Sequence, residues 1–76
     1  MEIIMPTRTI RFMYLLRSVL VKEGWFTHGN KMETDKIIKA HMNNKPASEI
    51  AAIIWACSEN ADYGEICEKV RYLIAK

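Results

Sequence analysis

Two prolines, Pro6 and Pro46, each stand just ahead of an apolar run, and Gly24 closes the first of those runs. Proline has no N–H to lose at a helix start, and glycine tolerates the left-handed turn at a helix end. This punctuation predicts one helix over residues 7–23 and another that takes Pro46 into its first turn. Between them Thr34 is placed to cap a shorter helix ending near residue 42, where Asn43, Asn44 and Lys45 interrupt the apolar spacing. Asp62 is placed to cap a fourth helix, in which Tyr63, Ile66, Cys67, Val70, Leu73 and Ile74 recur every three or four residues. The β-formers Ile10, Phe12, Tyr14, Val19 and Val21 keep a strand open for part of the first run, and residues 2–5 suit a short strand. The expected fold is all-α: a single small domain over residues 1–76, a compact bundle of three or four short helices, with the N-terminal strand as an option. The third and fourth helices are expected to form the central hairpin, the third buried and the first packed across both. Glu65 and Lys69 are spaced for an ion pair on the outer face of the fourth.

A chain of 76 residues buries only about 60% of the surface its unfolded form exposes. Yet 50% of its residues are hydrophobic, five of them methionine, so part of the apolar surface is expected to be covered by a partner. Cys57 and Cys67 are too few and too isolated for the disulfide framework that small secreted domains use, which points to a reducing compartment and a cytoplasmic protein. Arg8, Arg11 and Arg17 interrupt the N-terminal apolar stretch, so no signal peptide is expected. The uncharged apolar runs at residues 12–16 and 50–57 fall short of the roughly 20 residues that cross a bilayer, so no membrane role is expected.

Charge is unevenly spread. Residues 1–45 carry eight basic and four acidic side chains, a balance of +4; residues 46–76 carry three basic and five acidic, a balance of −2. On a helical wheel the first helix shows two apolar stripes. Ile10, Met13, Tyr14, Leu16, Leu20 and Val21 form a broad one with Arg17 in its middle, while Phe12, Leu15 and Val19 form a second, interleaved with Arg8, Arg11 and Lys22. The second stripe either packs on the loop of Trp25 and Phe26 or a neighbouring helix, or is a docking face for a partner. The candidate partner-binding set is therefore Arg8, Arg11, Phe12, Leu15, Val19, Lys22 and Trp25, since aromatic residues and arginine dominate interface energetics. A nucleic-acid alternative uses Arg8, Arg11, Lys22, Lys31, Lys36, Lys39 and Lys45 as phosphate contacts, with Trp25 or Phe26 as a stacking platform.

No catalytic constellation can be assembled. His28, His41, Cys57 and Cys67 occur as singles, without the close pairs that begin a zinc site, and neither cysteine has an orienting group that would make it a nucleophile. The bland expectations are that His28 is solvated, that His41 sits at a helix edge and that both cysteines act as small buried hydrophobes. Gly24, Gly29 and Gly64 make no phosphate-cradling loop. No enzyme activity, cofactor, metal or small-molecule substrate is expected.

Residues 36–58, KIIKAHMNNKPASEIAAIIWACS, resemble the opening of a helix-turn-helix, with Ala51 as the small residue that lets two helices approach. That resemblance implies DNA binding through a following helix. Two departures weigh on it: Trp55 stands where the motif's turn carries glycine, and Glu65 and Glu68 would face phosphates. The leading expectation is thus a small inhibitor, adaptor or regulatory subunit of phage or mobile-element type, docking a protein partner or a second copy of itself. The alternative is a small DNA- or RNA-binding regulator.

Overall fold

The computed structural model describes residues 4–26 and 31–76. It contains α1 (Thr7–Glu23), α2 (Thr34–Met42), α3 (Ala47–Cys57) and α4 (Tyr63–Ala75), with no strand among the described residues. Ile4 and Met5 are irregular, and the remainder of the expected N-terminal strand lies outside the described residues, as does His28. The β-formers of the first run are all helical, because burial of one helix face outweighs a weak local propensity.

Local chemistry sets the helix ends. Pro6 and Pro46 hold extended backbone, with φ −64° and ψ 152° and 155° respectively. Each offers its carbonyl to the next turn: Pro6 O accepts from the N–H groups of Thr9 (2.9 Å) and Ile10 (3.1 Å), and Pro46 O from those of Glu49 (3.0 Å) and Ile50 (3.3 Å). Pro46 therefore occupies the cap position, one residue before the helical turn expected for it. Thr34 is likewise displaced. It is the first residue of α2, and Glu33 takes the cap position without a side-chain bond. Asp62 caps α4 as its spacing predicts, its carboxylate accepting from the Glu65 N–H at 3.0 Å.

Gly24 ends α1 in the left-handed region (φ 66°), donating its N–H to Leu20 O. The end of α2 uses Asn44 (φ 56°) in the same way. Asn44 N–H donates to His41 O at 3.1 Å and Lys45 N–H to Ala40 O at 2.9 Å, the paired bonds of a Schellman turn.

The four helices form a closed ring in chain order. α3 and α4 pack most extensively, α2 packs on α3, and α1 closes the ring against α4 and α2 rather than lying across the α3–α4 hairpin. The core is filled by Phe12, Leu16 and Leu20 of α1, Ile37 and Ala40 of α2, Ile50, Ala51 and Ile54 of α3, and Ile66, Cys67, Val70 and Leu73 of α4. Trp25 joins them, and its carbonyl accepts from the Glu59 N–H at 3.0 Å, tying the segment after α1 to the loop after α3. Expected to be the most buried helix, α3 is instead one-sided: Ala52, Trp55 and Ala56 face outward, Trp55 with its ring edge-on to Tyr63. Cys67 is buried; Cys57 is half-buried, its thiol donating to Ile53 O at 3.2 Å. Lys69 pairs across the α1–α4 contact with Glu23 (3.4 Å) instead of along its own helix with Glu65.

Candidate docking face on the first helix

Seen down its axis, α1 divides into three sectors about 120° apart. The first faces the core and holds Thr9, Phe12, Leu16 and Leu20, all buried. Its N-terminal end meets α2 through an interlocked cluster. The His41 ring stacks on Phe12 with centroids 4.2 Å apart and planes 12° from parallel, and its Nδ1 lies 2.9 Å from the Thr9 hydroxyl. Arg8 donates from Nη1 to His41 O (3.2 Å), which also accepts from the Asn44 N–H, and from Nη2 to Met42 O (3.1 Å), adding a cation to the carbonyl end of α2. Burial, reinforced by the Arg8 charge, lowers the pKa of His41. His41 is thus a packed core residue rather than one at a helix edge.

This cluster corrects the expected docking set. Phe12 is 2% exposed and Trp25 4%, and Leu15 and Val19 pack against the core, so the second stripe of the wheel faces the protein's own interior. The stripe points inward because α1 is flanked on one side by α4 and on the other by α2, and Phe12 lies where both meet it. Arg8, which was expected on the rim of an interface, instead holds α2.

The second sector of α1 faces the groove shared with α4. Arg8, Arg11 and Lys76 line one cavity there, together with Thr7 and His41, and Lys22, Lys69 and Lys76 line its continuation. The acidic residue beside this row, Glu23, is bonded to Lys69. The remaining lysines of the nucleic-acid set do not join it. Lys36 lies between α2 and α3 in a groove it shares with Glu33 and Glu49, while Lys31, Lys39 and Lys45 are exposed at other points along α2 and its turns. Glu65 and Glu68 are exposed on α4, the helix that a helix-turn-helix reading would send into DNA.

The third sector holds apolar residues that neither candidate set included. Ile10 (54% exposed), Tyr14 (77%) and Val21 (79%) follow one another with Arg17 at spacings of four, three and four residues. They form a narrow apolar strip in solvent. Toward α2 the strip opens into a groove of about 420 Å³ lined by Met5, Met13, Met32 and Ile38 together with Ile10, Tyr14 and Arg17. Along α1 it continues past Tyr14 and Arg17 to Val21 and Lys22. The sequence held one sign of this. An arginine in the middle of an apolar stripe, with no acidic residue one turn away on the same helix, is costly to bury and so marks the edge of the stripe that stays in water, here Ile10, Tyr14 and Val21, while Leu16 and Leu20 of the same stripe turn into the core.

Among the described residues no group of three or more His, Cys, Asp or Glu side chains is placed to hold a metal ion, and no helix is long and apolar enough to cross a membrane. Comparison of the chain with protein-family models, with curated proteins and with solved structures gives no match.

Proposed function

We propose that the protein is a small non-catalytic binding module that docks a protein partner through the outward face of α1. The observation that carries this reading is the exposure of Ile10, Tyr14 and Val21 as one continuous strip, flanked by a methionine-lined groove. Isolated exposed hydrophobes need no explanation, but three in register on one helix of a 76-residue chain form the kind of patch that marks an interaction site. Tyrosine and arginine, here Tyr14 and Arg17, are also the residue types most often found at the energetic centre of interfaces. A binding role also fits the state of His41, whose Nδ1 and ring face are committed to Thr9 and Phe12.

The test is capture of partners from the native host by the unaltered chain and by a Tyr14→Glu/Val21→Glu variant, with folding of both checked by circular dichroism. Because both side chains lie in solvent, the variant is expected to keep its helix content and melting temperature while losing the captured protein. Retention of the same partners by the folded variant would remove this face from consideration.

The basic row of Arg8, Arg11, Lys22, Lys69 and Lys76 along the α1–α4 groove supports a second reading, binding of a nucleic-acid backbone. The fold adds two lysines from the acidic half of the chain to three basic residues from the other half. Such binding would weaken steeply with salt, so a gel-shift titration on random DNA and RNA at two ionic strengths decides it. No shift at the lower salt excludes it.

A further inference from the structure

The charge around the exposed strip says what kind of protein surface it takes, an inference that rests on the docking reading above. Every charged residue of α1 except Glu23 is basic: Arg8, Arg11, Arg17 and Lys22. Glu23 is already bonded to Lys69 on the side away from the strip. Arg17 stands within the strip and Lys22 at its end, so the α1 wall of the groove presents cations with no carboxylate among them. On the opposite wall the lining residues Met32, Thr34 and Ile38 carry no charge, and Glu33 and Lys36 turn instead into the groove between α2 and α3.

A second copy is a poor occupant for this surface. Pairing α1 with α1 about a two-fold axis, in either direction, sets one basic helix against another with no carboxylate in the strip to offset the repulsion. The apolar floor is suited to a helix. Ile10 and Val21 stand eleven positions apart, about 17 Å along the axis, which matches three turns of a partner helix with anchors at i, i+4, i+7 and i+11. Met5, Met13 and Met32 give the groove side chains that adapt to the shape of what enters.

We infer that the strip and groove between α1 and α2 bind an acidic amphipathic helix of another protein. Its apolar residues lie on Ile10, Tyr14 and Val21, and its carboxylates reach Arg17 and Lys22.

The probe is a fluorescein-labelled synthetic peptide of 15 residues with leucine at those four spacings and glutamate on both flanks. It is titrated with the full chain by fluorescence anisotropy. The controls are the same peptide with lysine for glutamate and a scrambled peptide of identical composition. The expected result is binding of the acidic helix at least tenfold tighter than either control. Arg17→Glu should bring the acidic and basic peptides to within about threefold of each other, and Tyr14→Ala should weaken the acidic peptide about tenfold. Both positions are exposed, and circular dichroism confirms that each variant is folded. Equal binding of the scrambled peptide reduces the effect to bulk charge and overturns the inference. So does a failure of Arg17→Glu to change the preference. Sedimentation of the chain alone separates the two levels of the reading. A dimer abolished by Tyr14→Glu would overturn the acidic partner while leaving the docking face in place. A monomer that binds none of the peptides and captures the same proteins with or without Tyr14→Glu/Val21→Glu would overturn both.

Discussion

His41 shows how one residue can be misplaced by its sequence neighbours. Read alone it is a polar group near the end of a short helix; in the fold it is stacked on Phe12 and bonded to Thr9, itself fully buried. Burial and the nearby Arg8 charge hold its pKa below the ordinary 6.5, so on acidification the unfolded chain takes up this proton before the folded chain does. The stability tied to the neutral ring is complete above about pH 6.5 and is lost as the pH falls toward the folded-state pKa. Urea midpoints measured from pH 7.5 to 5.5 are expected to decline. A Thr9→Val/His41→Phe variant, which removes the titrating ring without orphaning the hydroxyl, should decline less; an equal decline would place the acid sensitivity elsewhere. Phe12 and Trp25 carry the complementary lesson. Both looked like docking anchors, and both are core. Trp25→Ala is expected to cost about 3–5 kcal/mol of stability, a large fraction of what a domain of this size possesses. A thermal melt unchanged by that substitution would contradict its place in the core.

Among the elements, α2 depends most on others. It has nine residues, too few to persist alone in water, and no side-chain cap at its start. Its C-terminal end is held by the Asn44 turn and, from outside, by Arg8. Arg8→Ala is expected to cost about 1 kcal/mol and to speed amide exchange in α2 more than in α3 or α4. Uniform acceleration across all four helices would mean that Arg8 does not act through α2. Asn44→Gly should be tolerated, since glycine accepts φ 56° freely, whereas Asn44→Val should destabilise by about 1–2 kcal/mol as a β-branched residue enters the left-handed region. The start of α4 is simpler. Asp62→Ala removes the carboxylate that accepts from Glu65 N–H and should cost about 1 kcal/mol in a urea titration.

At the scale of the whole molecule, the proposed docking face and the face that holds the core are different faces of the same helix. Replacing Ile10, Tyr14 and Val21 one at a time by serine is expected to shift stability by less than about 0.5 kcal/mol, because each is already largely in water. Ile54→Ala, at a fully buried position of α3, should cost about 2–5 kcal/mol. Thermal melts of the four variants check the contrast, and comparable losses throughout would mean that the outer strip is packed in solution. The four helices, their order and four of their ends, both of α1, the last of α2 and the first of α4, were legible in the residues, because proline, glycine, asparagine and aspartate act within one turn of where they stand. So was the one-sidedness of α4, whose apolar residues repeat at helical spacing and are buried as Ile66, Cys67, Val70 and Leu73. The sequence by itself determined these features, since each depends on neighbours fewer than about five residues away. Which members of the two stripes of α1 face inward was decided only by tertiary structure. A helical wheel gives the angles between Phe12 and Tyr14 but not the direction of the core. That direction comes from α4 and from His41 of α2, residues 29 or more positions along the chain from Phe12, which together cover Phe12 of one stripe with Leu16 and Leu20 of the other and leave Ile10, Tyr14, Arg17 and Val21 in water.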